Sequence, residues 1–281
     1  MPEARPVKSI SIGYSPCPND TYVFAHLNGD PGIPLRFRPV LADVETLNQW
    51  ALEARLGVTK LSFFALGRAL RSYALLHAGS ALGRGCGPIV VARPGTSPAR
   101  LRNGRVAAPG ELTTARLLLS LYLGRPPRFS QMVFSRVMPA VVRGEAEFGL
   151  VIHEGRFTYR EYGLEVLLDL GRWWEKETGR PIPLGGIAIR RDLGPDTARD
   201  VDRAIRSSLK KSENNASGTM AHVRAHAQEM APDVIRRHIR LYVNRFTTDL
   251  GATGREAVTF LLRCAGDAGL IRPFTLPLMA Y

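Results

Sequence analysis

The chain is poor in cysteine, in lysine and in long apolar runs. Its three cysteines, Cys17, Cys86 and Cys264, contain no C-x-x-C pair, and any disulfide scheme leaves one over. That pattern excludes a zinc ribbon and fits a reducing compartment. No apolar stretch approaches the roughly twenty residues that a membrane span needs. The opening Met1-Pro-Glu-Ala-Arg-Pro-Val-Lys8 is polar and has no apolar h-region, so a cytoplasmic protein without membrane insertion is expected. Lysine and arginine together number 38, yet only Lys8, Lys60, Lys176, Lys210 and Lys211 are lysine. The arginines are scattered through every segment instead of forming an arm or patch. The net charge of +13 therefore does not point to nucleic acid, although such a field attracts an acidic small molecule.

Recognisable nucleotide and metal motifs are missing as well. The glycine-rich stretch 79–88 contains neither G-x-x-x-x-G-K-[ST] nor the full dinucleotide fingerprint, so it reads as a loop for close backbone packing. His222 and His226 have the spacing of two ligands on one helix face. They lack the glutamate of H-E-x-x-H and flank Arg224, which opposes a cation, so a solvated face is expected there and no metal site.

What is present is alternation of strands and helices. Residues 9–13, 35–40, 57–62, 89–93, 105–109, 148–152, 166–170 and 184–190 read as strands. Helical patterns cover 21–27, 44–56, 63–72, 115–123 and 136–143 between them, and 198–212, 216–230, 232–242 and 254–268 beyond them. This order predicts an α/β fold with largely parallel sheets. The chain is expected to cross between two lobes near 92–96 and to return near 181–186. A larger discontinuous lobe would then comprise 1–93 and 186–281, with 94–185 inserted as a smaller one.

Ligands in open α/β sheets collect outside the carboxyl ends of strands. The apolar run Phe148-Gly-Leu-Val-Ile152 switches abruptly to His153-Glu154-Gly155-Arg156 at such an end. Histidine has the side-chain pKa nearest physiological pH and suits proton transfer. Glu154 either orients His153 or faces solvent. Three other strand ends carry polar groups. The loop Ser15-Pro-Cys-Pro-Asn19-Asp20 precedes a helix and offers an anion cradle. Lys60 is an isolated lysine ahead of Leu61 and Ser62, and Thr113 can cap the helix that follows Thr114. Cys17 near a helix N-terminus is an alternative nucleophile, but no partner base is evident in the sequence. These loops fall in both lobes, which makes a cleft between the lobes the economical ligand site.

Taken together, Ser15-Pro-Cys-Pro-Asn-Asp20, Val58-Thr-Lys-Leu-Ser62, Ala81-Leu-Gly-Arg-Gly-Cys-Gly-Pro88 and Ile152-His-Glu-Gly-Arg-Phe-Thr-Tyr159 resemble the 1,4-dihydroxy-6-naphthoate synthases. So do His226-Ala-Gln-Glu-Met230 and His238-Ile-Arg-Leu-Tyr-Val-Asn244. The resemblance spans nearly the whole chain in order. It implies a two-lobed fold like that of the type II periplasmic binding proteins, with a central cleft. It also implies conversion of cyclic dehypoxanthinyl futalosine to 1,4-dihydroxy-6-naphthoate with release of dihydroxyacetone, in the futalosine route to menaquinone, with neither metal nor organic cofactor. The family's catalytic base falls on His153. Its substrate-binding positions fall on Lys60, Leu61, Ser62, Thr113 and Thr114. Asn19, Asp20 and Arg156 are added on chemical grounds as further substrate-binding positions. Two rivals share the fold: the chorismate dehydratase of the same pathway, which lacks the I-H-E-G-R-F-T-Y stretch, and a non-catalytic small-carboxylate-binding protein. The oligomeric state is left open.

Overall fold

The computed structural model describes residues 7–227 and 231–281. Residues 1–6 of the polar start, and residues 228–230 at the end of the helix expected over 216–230, lie outside the described residues. Five strands open the chain in one sheet: β1 (Lys8–Tyr14), β2 (Leu35–Leu41), β3 (Val58–Ser62), β4 (Tyr73–Leu75) and β5 (Ala81–Gly83). The next five form a second sheet: β6 (Ile89–Ala92), β7 (Arg105–Ala108), β8 (Arg128–Gln131), β9 (Phe148–Val151) and β10 (Glu165–Asp169). Strand β11 (Ile182–Arg190) then returns to the first sheet. The spatial orders are β2-β1-β3-β11-β4, with β5 also on β11, and β10-β6-β9-β7-β8.

Both sheets are mixed, where largely parallel ones were expected. Strand β1 runs parallel to β2 and β3, but β11 runs antiparallel to β3, β4 and β5. In the second sheet β6 lies antiparallel to β9 and β10. The reversal follows from connectivity: β11 carries the chain back into a sheet that it had left, and it enters from the opposite end. Sheet membership also corrects the outgoing crossing. Ile89–Ala92 was placed with the first lobe, but hydrogen-bonds throughout in the second sheet. The return comes earlier as well, since Ile182 already pairs with Gly83.

Apolar pattern explains where each element sits. All five residues of β3 are buried, as for a strand covered on both faces. Ile10, Ile12 and Ile187 of the first sheet pack with Phe24, Val201 and Ile205 from the helices Pro18–Phe24 and Gly194–Asn214. Val91 and Val151 of the second sheet pack with Val137 and Val141 from the helix Phe134–Val142. A third and larger cluster joins the two sheets, from Leu61, Phe63 and Tyr73 across to Val90, Phe148 and Trp174. The lobes are thus continuous through apolar contact beneath the cleft. The glycine-rich stretch serves that packing, as expected: a Cβ on Gly87 would collide with the backbone of Gly171. His222 and His226 lie on the helix Ala216–His226, where His226 Nδ1 contacts the His222 carbonyl at 2.8 Å.

Candidate active site

The cleft between the sheets is lined by the ends of β1, β3 and β9 and by the start of the helix Thr114–Leu123. Its empty space, open solvent included, is about 670 Å³, within the range of small-molecule sites. Eight of the nine sequence-predicted residues line it: Asn19, Asp20, Lys60, Leu61, Ser62, Thr113, Thr114 and His153.

Arg156 is the exception. Its guanidinium donates to the Gly87 carbonyl at 2.7 Å and to Asp169 Oδ2 at 2.6 Å, so it ties the strand end to the neighbouring helix instead of facing the cleft. Asp169 in turn caps the helix Leu170–Thr178 through Oδ1. A role for Arg156 in binding the substrate directly is therefore set aside, because its donors are already engaged in a nearly enclosed ion pair.

On the first-lobe wall, Lys60 Nζ donates to Asp20 Oδ1 at 2.9 Å. Asn19 Nδ2 donates to the same oxygen, and Ser15 Oγ to Asp20 Oδ2 at 2.7 Å. Both charges are buried, and each is satisfied by the other and by short polar side chains. Ser62 sits at the N-cap of the helix Phe63–Ala69, with its N–H on Asn48 Oδ1 at 2.8 Å. On the opposite wall Thr113 caps its helix by accepting from Arg116 N, and Thr114 Oγ1 donates across the cleft floor to the Leu184 carbonyl at 2.6 Å. The first-turn N–H groups of Thr114 and Ala115 precede that helix's own ladder and are open to an anion.

His153 follows β9 with φ of 56°, in the left-handed region that a non-glycine residue adopts only at a cost of about 1 kcal/mol or more. Phe134 stacks on its ring at 5.6 Å between centroids. Nδ1 lies 2.7 Å from Cys17 Sγ, and Nε2 has no hydrogen-bond partner among the described residues. Burial pushes the imidazole below its ordinary pKa, partly opposed by the charges of Glu154 and Asp20. That burial favours the neutral ring.

Three participants were missed or undervalued in the sequence. Cys17 does have a basic neighbour, His153, but burial and the charges of Glu154 and Asp20 push its thiol well up, the opposite of an activated nucleophile. His238, from the helix Pro232–Tyr242, lines the cleft and places Nε2 2.9 Å from Asn19 Oδ1. Glu45, at the start of the helix Val44–Leu52, reaches across the cleft to accept from the N–H groups of Glu111 and Leu112. Burial raises the pKa of that carboxyl. Only the resemblance of the 238–244 segment carried any signal for His238, and nothing in the local sequence marked Glu45.

A family model described as menaquinone biosynthesis matches residues 10–267. The chain is 47% identical over 275 residues to 1,4-dihydroxy-6-naphthoate synthase of Thermus thermophilus, covering 97% of this chain and 99% of that one. It is 44% identical over 273 residues to the enzyme of the same name from Streptomyces coelicolor, covering 94% and 95%. The chain belongs to the menaquinone-biosynthesis family. It is a lyase of that pathway. A crystal structure from Archaeoglobus fulgidus superposes with a TM-score of 0.86 at 33% identity, over 94% of this chain and 98% of that one. The alkanesulfonate-binding protein of Xanthomonas axonopodis, at 13% identity, gives 0.74 over 97% of each. A Candida albicans protein described as having the generic periplasmic-binding-protein fold gives 0.68 at 10% identity, over 95% and 92%. The two-lobed periplasmic-binding-protein-like fold is therefore the fold of this family member. Among the described residues no helix is long and apolar enough to cross a membrane.

Proposed function

We propose that this chain converts cyclic dehypoxanthinyl futalosine to 1,4-dihydroxy-6-naphthoate and releases dihydroxyacetone, in the cytoplasm and without metal or organic cofactor, with His153 as general base. The observation that carries this reading is the His153 ring itself. Burial favours its neutral form, Cys17 holds it on one side, and its Nε2 has no partner among the described residues, in a cleft lined by seven more of the family-matched or chemically inferred positions. Base action at Nε2 requires the ring proton on Nδ1, facing Cys17 Sγ. His153 would then remove a proton beside a substrate carbonyl and start a fragmentation that ends in an aromatic ring. Aromatisation supplies much of the driving force, so the protein chiefly needs a placed base and a cleft that excludes water.

An acidic substrate needs donors at its carboxylate. Lys60 is already committed to Asp20. The Thr114 and Ala115 N–H groups, with the Ser62 hydroxyl on the facing wall, are the better holders. Glu45 adds a reason for the lobes to stay together, since its carboxylate joins one wall to the other. The test is to incubate the purified protein with cyclic dehypoxanthinyl futalosine and follow products by mass spectrometry. Appearance of the naphthoate and of dihydroxyacetone is expected. Tight binding with no product would point instead to a carrier on the same fold.

A further inference from the structure

Beside His153 lies a second titratable group that the mechanism above leaves unused. Glu154 Oε2 and His238 Nδ1 are both buried, and neither has a hydrogen-bond partner among the described residues. They face each other at 3.9 Å. The other side of the His238 ring is engaged, because a side-chain carbonyl accepts only, so Nε2 must carry the hydrogen that reaches Asn19 Oδ1. A neutral His238 therefore presents a bare lone pair to a carboxylate oxygen, an arrangement of two acceptors with nothing between them.

Among the described residues no other donor reaches the two atoms. Lys60 is spent on Asp20 at 2.9 Å. Arg156 is spent on Asp169, and Asp43 caps the helix Val44–Leu52 from further off. Tyr242 packs against the His238 ring at 4.7 Å, and Cys17 contacts His153 Nδ1. Burial holds both of those groups in their neutral forms. A metal ion is the other positive occupant to consider, since Cys17, His153 and Glu154 bring ligand atoms within 4.8 Å of one another. The spacing argues against it. Sulfur and nitrogen bound to one tetrahedral zinc stand about 3.6 Å apart, from bond lengths of about 2.3 and 2.0–2.1 Å. Cys17 Sγ and His153 Nδ1 are only 2.7 Å apart.

We infer that Glu154 and His238 share a single proton and act together as a positioning pair that sets the basicity of His153. This rests on the reading of His153 as the base, but only for its catalytic meaning. Burial, with the charges of His153 and Lys60, pushes a lone His238 well below its ordinary pKa, so the proton is held there only in company with the Glu154 carboxylate. While it holds the proton, Glu154 exerts less than a full negative charge on His153. At 3.9 Å the two atoms stand beyond hydrogen-bond range, so sharing the proton draws them closer than they stand here.

His238→Gln tests the inference sharply. The glutamine amide can still donate to Asn19, but the Nδ1 position is gone, so the shared proton is lost and Glu154 becomes a full carboxylate. A full opposite charge at this range moves a neighbour's pKa by about one pH unit or more. The titration of His153, followed by NMR of its ring, should therefore move up by about one pH unit in His238→Gln. The acid limb of kcat/KM should move with it. In the double variant Glu154→Gln/His238→Gln the rise should vanish. In the unaltered protein the ring nitrogen-15 shift of His238 Nδ1 should be that of a hydrogen-bonded nitrogen, a readout that needs no variant to fold. An unmoved or lowered His153 titration in His238→Gln, or a rise that survives in the double variant, would overturn the pairing. So would a free, unbonded Nδ1 signal, or stoichiometric zinc bound to Cys17, His153 and Glu154. The NMR readout needs no turnover, so loss of the pairing and loss of the base assignment are distinguishable.

Discussion

In an Asp20→Asn variant, Lys60 keeps its charge at a buried position but loses the carboxylate that faces it. The side chains of Lys60 and Asp20 are 9% and 3% exposed, so solvent does little to soften the change. Asparagine retains one oxygen, but its amide nitrogen replaces an acceptor that now takes either the Lys60 and Asn19 donors or the Ser15 donors. Breaking one side of a buried pair costs about 3–5 kcal/mol. At about 2–4 °C per kcal/mol for a chain approaching this size, the melting temperature should fall by roughly 10 °C. Urea unfolding gives the free energy directly, and an unchanged m-value would show that the change is one of stability and not of compactness. The Lys60→Met variant should lose a comparable amount. The double variant Asp20→Asn/Lys60→Met should lose clearly less than the two singles together, because no charge is then left stranded. Single variants within about 0.5 kcal/mol of the parent, or strict additivity, would refute the assignment of this pair as the support of the first-lobe wall.

Other outcomes follow from the same contacts. In its proposed role His153 must be neutral, and burial lowers its pKa, so kcat/KM should hold as pH falls to about 6.5 and decline only below it. A limb centred above 6.5 would contradict that. The thiols of Cys17 and Cys86, buried and with Cys86 pushed up to about 12, should resist alkylation in the folded protein and react once it is unfolded; rapid labelling of Cys17 in the native state would revive it as a nucleophile. Arg156→Ala should cost about 2 kcal/mol of stability through the lost Asp169 and Gly87 contacts while leaving KM within about threefold. A large rise in KM at unchanged stability would return Arg156 to the cleft.

Much of the cleft was legible because strand ends announce themselves. Lys60 is the one charged residue in a strand whose every residue is buried, and Thr113 stands where a short strand gives way to a helix that its side chain does cap. What pattern alone does not encode is direction and distance. Apolar period does not tell a parallel strand from an antiparallel one, so β11 and β6 were misjudged in orientation, and β6 in membership. The short strands β4 and β5 were hidden for a related reason, since three buried residues are too few to set a period. His238 lies more than eighty residues beyond His153 in the chain, and only the fold brings the ring centroids to 6.2 Å. Arg156 misleads because a charged residue near His153 looks like a ligand until its partner Asp169 is seen. Cys17 was the converse: its partner base exists, but the same burial that brings them together keeps the thiol protonated.

The central claim is that His153 removes the substrate proton, and turnover of cyclic dehypoxanthinyl futalosine by the His153→Ala variant tests it most directly. The account predicts a loss of about 10²–10⁴-fold in kcat, with substrate still bound and the melting temperature not lowered, since alanine leaves the cleft walls intact. Turnover within about threefold of the parent, in a folded and substrate-binding variant, would contradict it.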